Sequence, residues 1–117
     1  MKERDIQIEI VEWIKETYPN WIVFSVPNEA TFKRTGYYKA MGMLPGAPDL
    51  VVLGNDVYLL EVKAERGRQR PEQRLFEMKV NVLGYNYKIV HSLDEVKELF
   101  GYVEFPAEIP WELPDCS

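Results

Sequence analysis

Two short β-rich runs, Leu50–Leu53 and Val57–Val62, stand on either side of Gly54-Asn55-Asp56, a pattern that predicts a β-hairpin. This hairpin constrains the rest of the chain. Asp49 opens its first strand and Glu61 lies near the end of the second, so closing the hairpin brings the two carboxylates together. Glu61 and Lys63 are two residues apart in an extended segment and therefore share one strand face. Two acids and a lysine converging on one point suit a divalent metal with a fixed positive charge beside it. Val51, Leu53, Leu59, Leu60 and Val62 predict strands buried on both faces, as at the centre of an α/β sheet. Ionisable groups at the edge of such a sheet are costly unless paired or metal-bound. A surface acid and a surface Glu–Lys pair would explain the triplet alone, but not its setting among Pro48 and the apolar strands.

The 117 residues suffice for one domain with a real core. A content of 46% hydrophobic and 28% charged residues is that of an ordinary soluble protein. Cys116 is the only cysteine, which excludes a disulfide framework and a cysteine metal site. No apolar run approaches the roughly 18 residues of a membrane span, and no signal-peptide pattern opens the chain, so a cytoplasmic protein with no membrane partner is expected. The net charge of −5 argues at first against a nucleic-acid partner. Seven of the 19 acids, however, fall from Asp94 onward, and the preceding body carries 12 acids and 13 bases. Within that body Lys63, Arg66, Arg68, Arg70 and Arg74 crowd together, and a local basic patch matters more to phosphate contact than the total does.

Read in order, residues 3–17 have the spacing of an amphipathic helix through Ile6, Ile10, Trp13, Ile14 and Thr17, ended by Tyr18-Pro19-Asn20. Glu3 in its first turn is either an acid complementing the helix dipole or a third carboxylate aimed into a site. Residues 21–26 predict a short strand apolar on both faces, and 31–43 a short helix with Gly42 near its end. Lys33, Arg34 and Lys39 lie here beside Tyr37, Tyr38, Met41 and Met43, a surface for DNA or for a second copy. Pro71 stands at the first turn of a helix over 72–83, with Leu75, Phe76, Met78, Lys79 and Leu83 at helical spacing and Gly84 as its cap. Residues 86–90 predict a strand, and Ser92 caps a last helix ending at Phe100. His91, the only histidine, reads as structural or surface-lying. Residues 102–117, with Pro106, Pro110 and Pro114, predict an acidic irregular tail packing through Phe105, Ile109 and Trp111 on the domain 1–101 or on a partner. The order α-β-(α)-β-β-α-β-α implies a crossover and a mixed sheet of about four strands with helices on both faces.

This order and several short motifs resemble the PD-(D/E)xK nuclease superfamily, and within it the VRR-NUC (virus-type replication-repair nuclease) branch. The matching pieces are Glu3-Arg4-Asp5-Ile6-Gln7, Val26-Pro27-Asn28, Gly46-Ala47-Pro48-Asp49-Leu50, Glu61-Val62-Lys63, Arg70-Pro71-Glu72-Gln73 and Ser92-Leu93-Asp94-Glu95-Val96, spread over about residues 2–100. The resemblance implies an α/β, restriction-endonuclease-like core. It implies that Asp49 and Glu61 ligate Mg²⁺ or Mn²⁺ with the Val62 backbone carbonyl, and with Glu3 directly or through water. It implies that Lys63 orients the attacking water or stabilises the phosphate, and that Gln73 is the glutamine of the following helix. Where the family often has serine three residues ahead of its glutamine, this chain has Arg70, which bears on helix capping.

Phosphodiester hydrolysis needs an activated water and charge compensation, both of which a carboxylate-held hard ion supplies, and oxygen ligands favour Mg²⁺ or Mn²⁺ over zinc. The sequence offers no nucleophilic Ser or Cys with a base and no phosphate-cradling glycine loop. The leading expectation is a metal-dependent DNA endonuclease of stand-alone phage or repair type. Its expected substrate is branched DNA such as a four-way junction, with nicking or flap cutting the simpler alternative, and it is expected to act as a homodimer. Asn28, Lys33, Arg34, Lys39, Arg66, Arg68, Arg70 and Arg74 are the candidate DNA contacts. The competing readings are a non-catalytic nucleic-acid-binding module and an assembly protein.

Overall fold

The computed structural model describes residues 1–27 and 35–103. Helix α1 (Glu3–Thr17) forms because Ile6, Ile10 and Ile14 recur every fourth residue and bury one stripe, with Glu3 and Asp5 at the positive end of the dipole and Lys15 at the negative end. It stops at Tyr18, whose N–H still bonds the Ile14 carbonyl at 2.8 Å, because the residue before Pro19 is pushed out of the helical region. Strand β1 (Ile22–Ser25), helix α2 (Thr35–Ala40), strands β2 (Leu50–Leu53) and β3 (Val57–Val62), helix α3 (Pro71–Leu83), strand β4 (Asn86–Val90) and helix α4 (Leu93–Leu99) follow.

The four strands lie side by side in the order β1-β2-β3-β4. The first two pairings are antiparallel and β3–β4 is parallel, joined by the α3 crossover. The hairpin register sets Leu50 opposite Leu60 and Leu53 opposite Val57. Its turn is held by Gly54 N–H to the Asp56 carbonyl, by the Tyr58 hydroxyl to Asn55, and by Val57 N–H to the Asp56 carboxylate. Trp21 lies so close over Gly54 that any Cβ there would strike its indole ring.

One face of the sheet carries the core. Leu50, Val52, Tyr58, Leu60, Val62 and Val90 pack there against Ile6, Ile10 and Ile14 of α1 and Val96 of α4. Burial of each such aliphatic side chain is worth about 1.5–3 kcal/mol. An aromatic cluster of Trp13, Tyr18, Trp21 and Phe100 closes the end of this layer, with Tyr18 stacked on Trp21 at 3.9 Å between ring centroids. The opposite face carries α3, through Gln73 on Glu61 and Phe76 beside Tyr87.

Two expectations need correction. The strands are not buried on both faces: Val51 and Leu59 are half-buried, while Leu53, Ile22 and Phe24 are exposed. Among the described residues α3 covers only the β3–β4 side of its face. Of the apolar α3 residues read at helical spacing, only Phe76 turns inward. Gln73, Phe76 and Val80 face the sheet, whereas Leu75, Met78 and Leu83 point outward with Val82, which is 87% exposed. The physical reason is Glu61, since a buried carboxylate needs a donor and Gln73 turns the helix to supply one. Asn28, Lys33 and Arg34, and the tail from residue 104 with Phe105, Ile109 and Trp111, lie outside the described residues.

Candidate active site

The site lies at the C-terminal edge of β3, where the start of β2 comes back beside it. Hairpin closure sets Asp49 across from Glu61, and the Asp49 carboxylate accepts the Val62 N–H at 2.8 Å. That bond ties the Val62 peptide, whose carbonyl the resemblance makes a ligand, to the first acid. Glu61 is 2% exposed and Lys63 8%. The Lys63 ammonium stands 3.5 Å from Glu61 Oε1, as the two-residue strand spacing requires. The Lys63 backbone N–H bonds the Val90 carbonyl and extends the parallel ladder by one residue.

Gln73 completes the arrangement from α3. Its amide nitrogen donates to Glu61 Oε1 at 2.6 Å and its amide oxygen accepts the Arg70 N–H at 2.8 Å. The second bond is one half of a capping box. The other half is absent because a guanidinium cannot accept a hydrogen bond, and Arg70 makes no side-chain cap. The departure from serine therefore costs one cap bond and leaves Gln73 in place. The turn before β2 is pressed onto this same helix start. Gly46 has φ +85°, and a Cβ there would stand 2.3 Å from the Glu72 carbonyl oxygen. Only glycine suits such a position, through both its backbone and its lack of a side chain.

Glu61 Oε1 thus receives Gln73 and Lys63, while the buried Glu61 Oε2 has no donor among the described residues when ionised and, when protonated, shares its proton with Asp49. A buried carboxylate oxygen with no donor is costly in its ionised form and is what an oxygen-liganded cation would satisfy. Burial, followed by repulsion from Asp49, pushes the Glu61 carboxyl up to about 8, with Lys63 opposing. Burial likewise raises Asp49, against the lowering effect of the Val62 N–H. Perturbed carboxyls of this kind cluster at functional sites.

A cleft of about 240 Å³ is lined by Glu3, Ala47, Asp49, Glu61, Lys63, Arg70 and Gln73. It gathers the five candidate catalytic residues in one place. Glu3 sits at the rim, its carboxylate 3.5 Å from the Ala64 N–H, so the acid at the dipole end of α1 also faces the site. No three Asp, Glu, His or Cys side chains among the described residues form a metal cage by themselves. Asp49 and Glu61 would be the direct carboxylate ligands, with a backbone carbonyl and waters filling the shell, as is usual for Mg²⁺. Arg66, Arg68, Arg70 and Arg74 are exposed around the loop and helix that border the cleft, and Lys39 is exposed on α2. A larger groove, of about 610 Å³, opens from the Glu3–Asp49 rim between α1 and β1 and includes Arg4, Gln7 and Lys15. Of these, Arg4 and Gln7 belong to the opening-helix motif, and Lys15 follows at helical spacing on α1. His91 stands apart from the cleft. Its Nδ1 is 3.2 Å from Glu95 at the α4 N-terminus.

No family sequence model and no curated protein matches the chain. Among solved structures, a VRR-NUC domain protein superposes with a TM-score of 0.70 at 18% identity, covering 86% of each chain. The chain has the VRR-NUC fold. A second solved VRR-NUC domain matches with a TM-score of 0.59 at 22% identity, over 89% of this chain and all of the other. The expected mixed four-stranded sheet with flanking helices is that fold, and the cleft described above is this chain's own. Among the described residues no helix is long and apolar enough to cross a membrane.

Proposed function

We propose that this chain is a divalent-metal-dependent DNA endonuclease that hydrolyses phosphodiester bonds, preferentially in branched DNA. The observation that carries the reading is the buried Glu61 carboxylate, one oxygen held by Gln73 and Lys63 and the other left without a donor opposite Asp49. A purely structural carboxylate would be satisfied on both oxygens. Mg²⁺ or Mn²⁺, when bound, would supply an acidified water and a Lewis acid for the phosphate.

The chain's own residues then have separate tasks. Asp49 and Glu61 hold the ion, with Asp49 kept in line by the Val62 N–H. Gln73 fixes the rotation of the Glu61 carboxylate by bridging it to the Arg70 backbone. Lys63, buried and next to Glu61, holds a positive charge where a phosphate oxygen gains negative charge, which is the general logic of electrostatic stabilisation. Glu3 borders the cleft where a water or second ligand would enter. The exposed arginines of the neighbouring loop meet the phosphate backbone.

One chain carries one such site, and symmetrical cuts at a junction need two. A homodimer is part of the proposal, supported by the exposed Leu75, Met78 and Val82 on the outer side of α3. Light scattering of the wild type beside Met78→Asp tests it, since a monomeric wild type removes the dimer.

The function itself is tested by cleavage of a labelled four-way junction and a matched linear duplex with Mn²⁺, Mg²⁺ or EDTA. Metal-dependent cutting of the junction alone, lost in Asp49→Asn, is the expected result. Equal cutting of both substrates keeps the nuclease and removes the branch preference. A folded wild type that cuts nothing in either metal leaves a binding module.

A further inference from the structure

Between Lys63 and α3 the chain makes one turn over Ala64–Gly67, closed by Gly67 N–H to the Ala64 carbonyl at 2.8 Å and carrying Arg66 within it, and Arg70 enters the helix with extended dihedrals. Exposure alternates along it. Arg66, Arg68 and Arg70 are exposed, and Gly67 and Gln69 are half-buried.

The inward residues are each held. A Cβ on Gly67 would stand 3.2 Å from the Glu3 carboxylate and 3.2 Å from the Lys63 Cβ, so the loop is packed directly onto two residues of the cleft. The Gln69 amide nitrogen meets the Tyr87 hydroxyl at 3.5 Å. Tyr87 is itself 5% exposed, and a buried phenol hydroxyl needs a partner. The Arg70 N–H is taken by Gln73. With its alternate residues fixed inward, the segment has its three arginines turned outward. Two residues along an extended chain span about 6.6 Å, close to the spacing of successive phosphates along one nucleic-acid strand, which suits Arg68 and Arg70, while Arg66 adds an exposed guanidinium from the turn. Arg70 lines the cleft and Gly67 is packed on two of its residues, so the row borders the site. Its contact with Glu72, 3.7 Å between half-exposed groups, is a weak pair that a phosphate can displace.

We propose, resting on the nuclease reading, that residues 66–70 are a preformed grip for successive phosphates of the strand being cut, with Gly67, Gln69 and Tyr87 as its positioning residues. A guanidinium fork can bind each phosphate bidentately. Because the backbone is already tethered, little ordering is required when the strand arrives.

The experiment measures binding of labelled duplex and four-way junction to an Asp49→Asn background with Mg²⁺ over a series of salt concentrations. Arg66→Ala, Arg68→Ala and Arg70→Ala are each expected to weaken binding regardless of sequence and to lower the log–log salt slope by about 1. Tyr87→Phe, which removes only the hydroxyl, is expected to weaken binding several-fold when the arginines are present and to have no effect when all three are alanine. An unaltered slope and affinity in the triple variant would overturn the grip. An equal Tyr87→Phe effect with and without the arginines would overturn the positioning role. A wild type that cuts DNA while indifferent to the triple variant keeps the nuclease and loses the grip. One that cuts nothing but shows the arginine and Tyr87 effects loses the nuclease and keeps the grip, and one that neither cuts nor binds loses both.

Discussion

Gln73 and Glu61, twelve residues apart and on different elements, are joined by a 2.6 Å hydrogen bond that commits one carboxylate oxygen and leaves the other without a donor among the described residues. The same glutamine caps its own helix by accepting the Arg70 N–H. Removing it as Gln73→Ala therefore breaks a cap and loosens a ligand together. A stability loss of about 1–2 kcal/mol is expected in thermal unfolding. Cleavage should fall at least about tenfold through the mis-set carboxylate. A variant that unfolds earlier but cuts normally would confine Gln73 to capping.

The acid pair predicts a pH dependence. Glu61 is raised from an ordinary carboxylate to about 8, so between about pH 4.5 and 8 the folded metal-free protein holds a proton that the unfolded chain has released. Stability of the metal-free protein should therefore fall as pH rises through that window, with Asp49 shifted in the same direction. Ligation requires the ionised forms, so the rise in melting temperature produced by Mn²⁺ should grow over the same interval. Melting curves from pH 5 to 9 with Mn²⁺ or EDTA read both trends, and a metal effect independent of pH would contradict them.

Glu61→Gln separates function from stability. The neutral amide keeps the shape, removes a buried carboxyl and abolishes metal-dependent cutting. At pH 9, where the wild-type group is ionised, the metal-free variant should melt above the metal-free wild type. A lower melting temperature at that pH would mean that the charge is compensated in the native protein.

Lys63→Ala should leave the Mn²⁺-induced rise in melting temperature in place while lowering the cleavage rate by about 10²-fold or more, the scale of losing one transition-state contact. Loss of the metal response as well would assign Lys63 to ion binding.

Gly46→Ala tests how the first acid is delivered. The added methyl meets the Glu72 carbonyl at 2.3 Å on a backbone of φ +85°. The expected cost is about 1–3 kcal/mol, seen as a lower melting temperature together with weakened Mn²⁺ response, since Asp49 is three residues away.

Local geometry made much of this site legible in the sequence. Strand parity puts Glu61 and Lys63 on one face, and hairpin closure puts Asp49 beside Glu61, with no knowledge of the rest of the chain. Glu3 was ambiguous on its own because an acid in a first helical turn is ordinary, and its nearness to Ala64 depends on packing across 61 residues. The orientation of α3 was not legible. Leu75, Met78 and Val82 form the better apolar stripe, and only the buried Glu61 explains why Gln73 faces inward instead. Burial of the central strands was over-read for a related reason, since the run of aliphatic residues does not say how far a helix extends over them.

The β3–β4 pairing is parallel and waits on the α3 crossover, whereas β2–β3 closes over a three-residue turn. Hairpins form in about 1–10 μs, while contacts across a longer loop come later. A chain that closes its hairpin first brings Asp49 and Glu61 together before Gln73 can hold one of them. Refolding of such a chain without metal should be faster in mild acid, where the pair can share a proton, than at pH 9, so the site would leave its mark on the assembly of the fold itself.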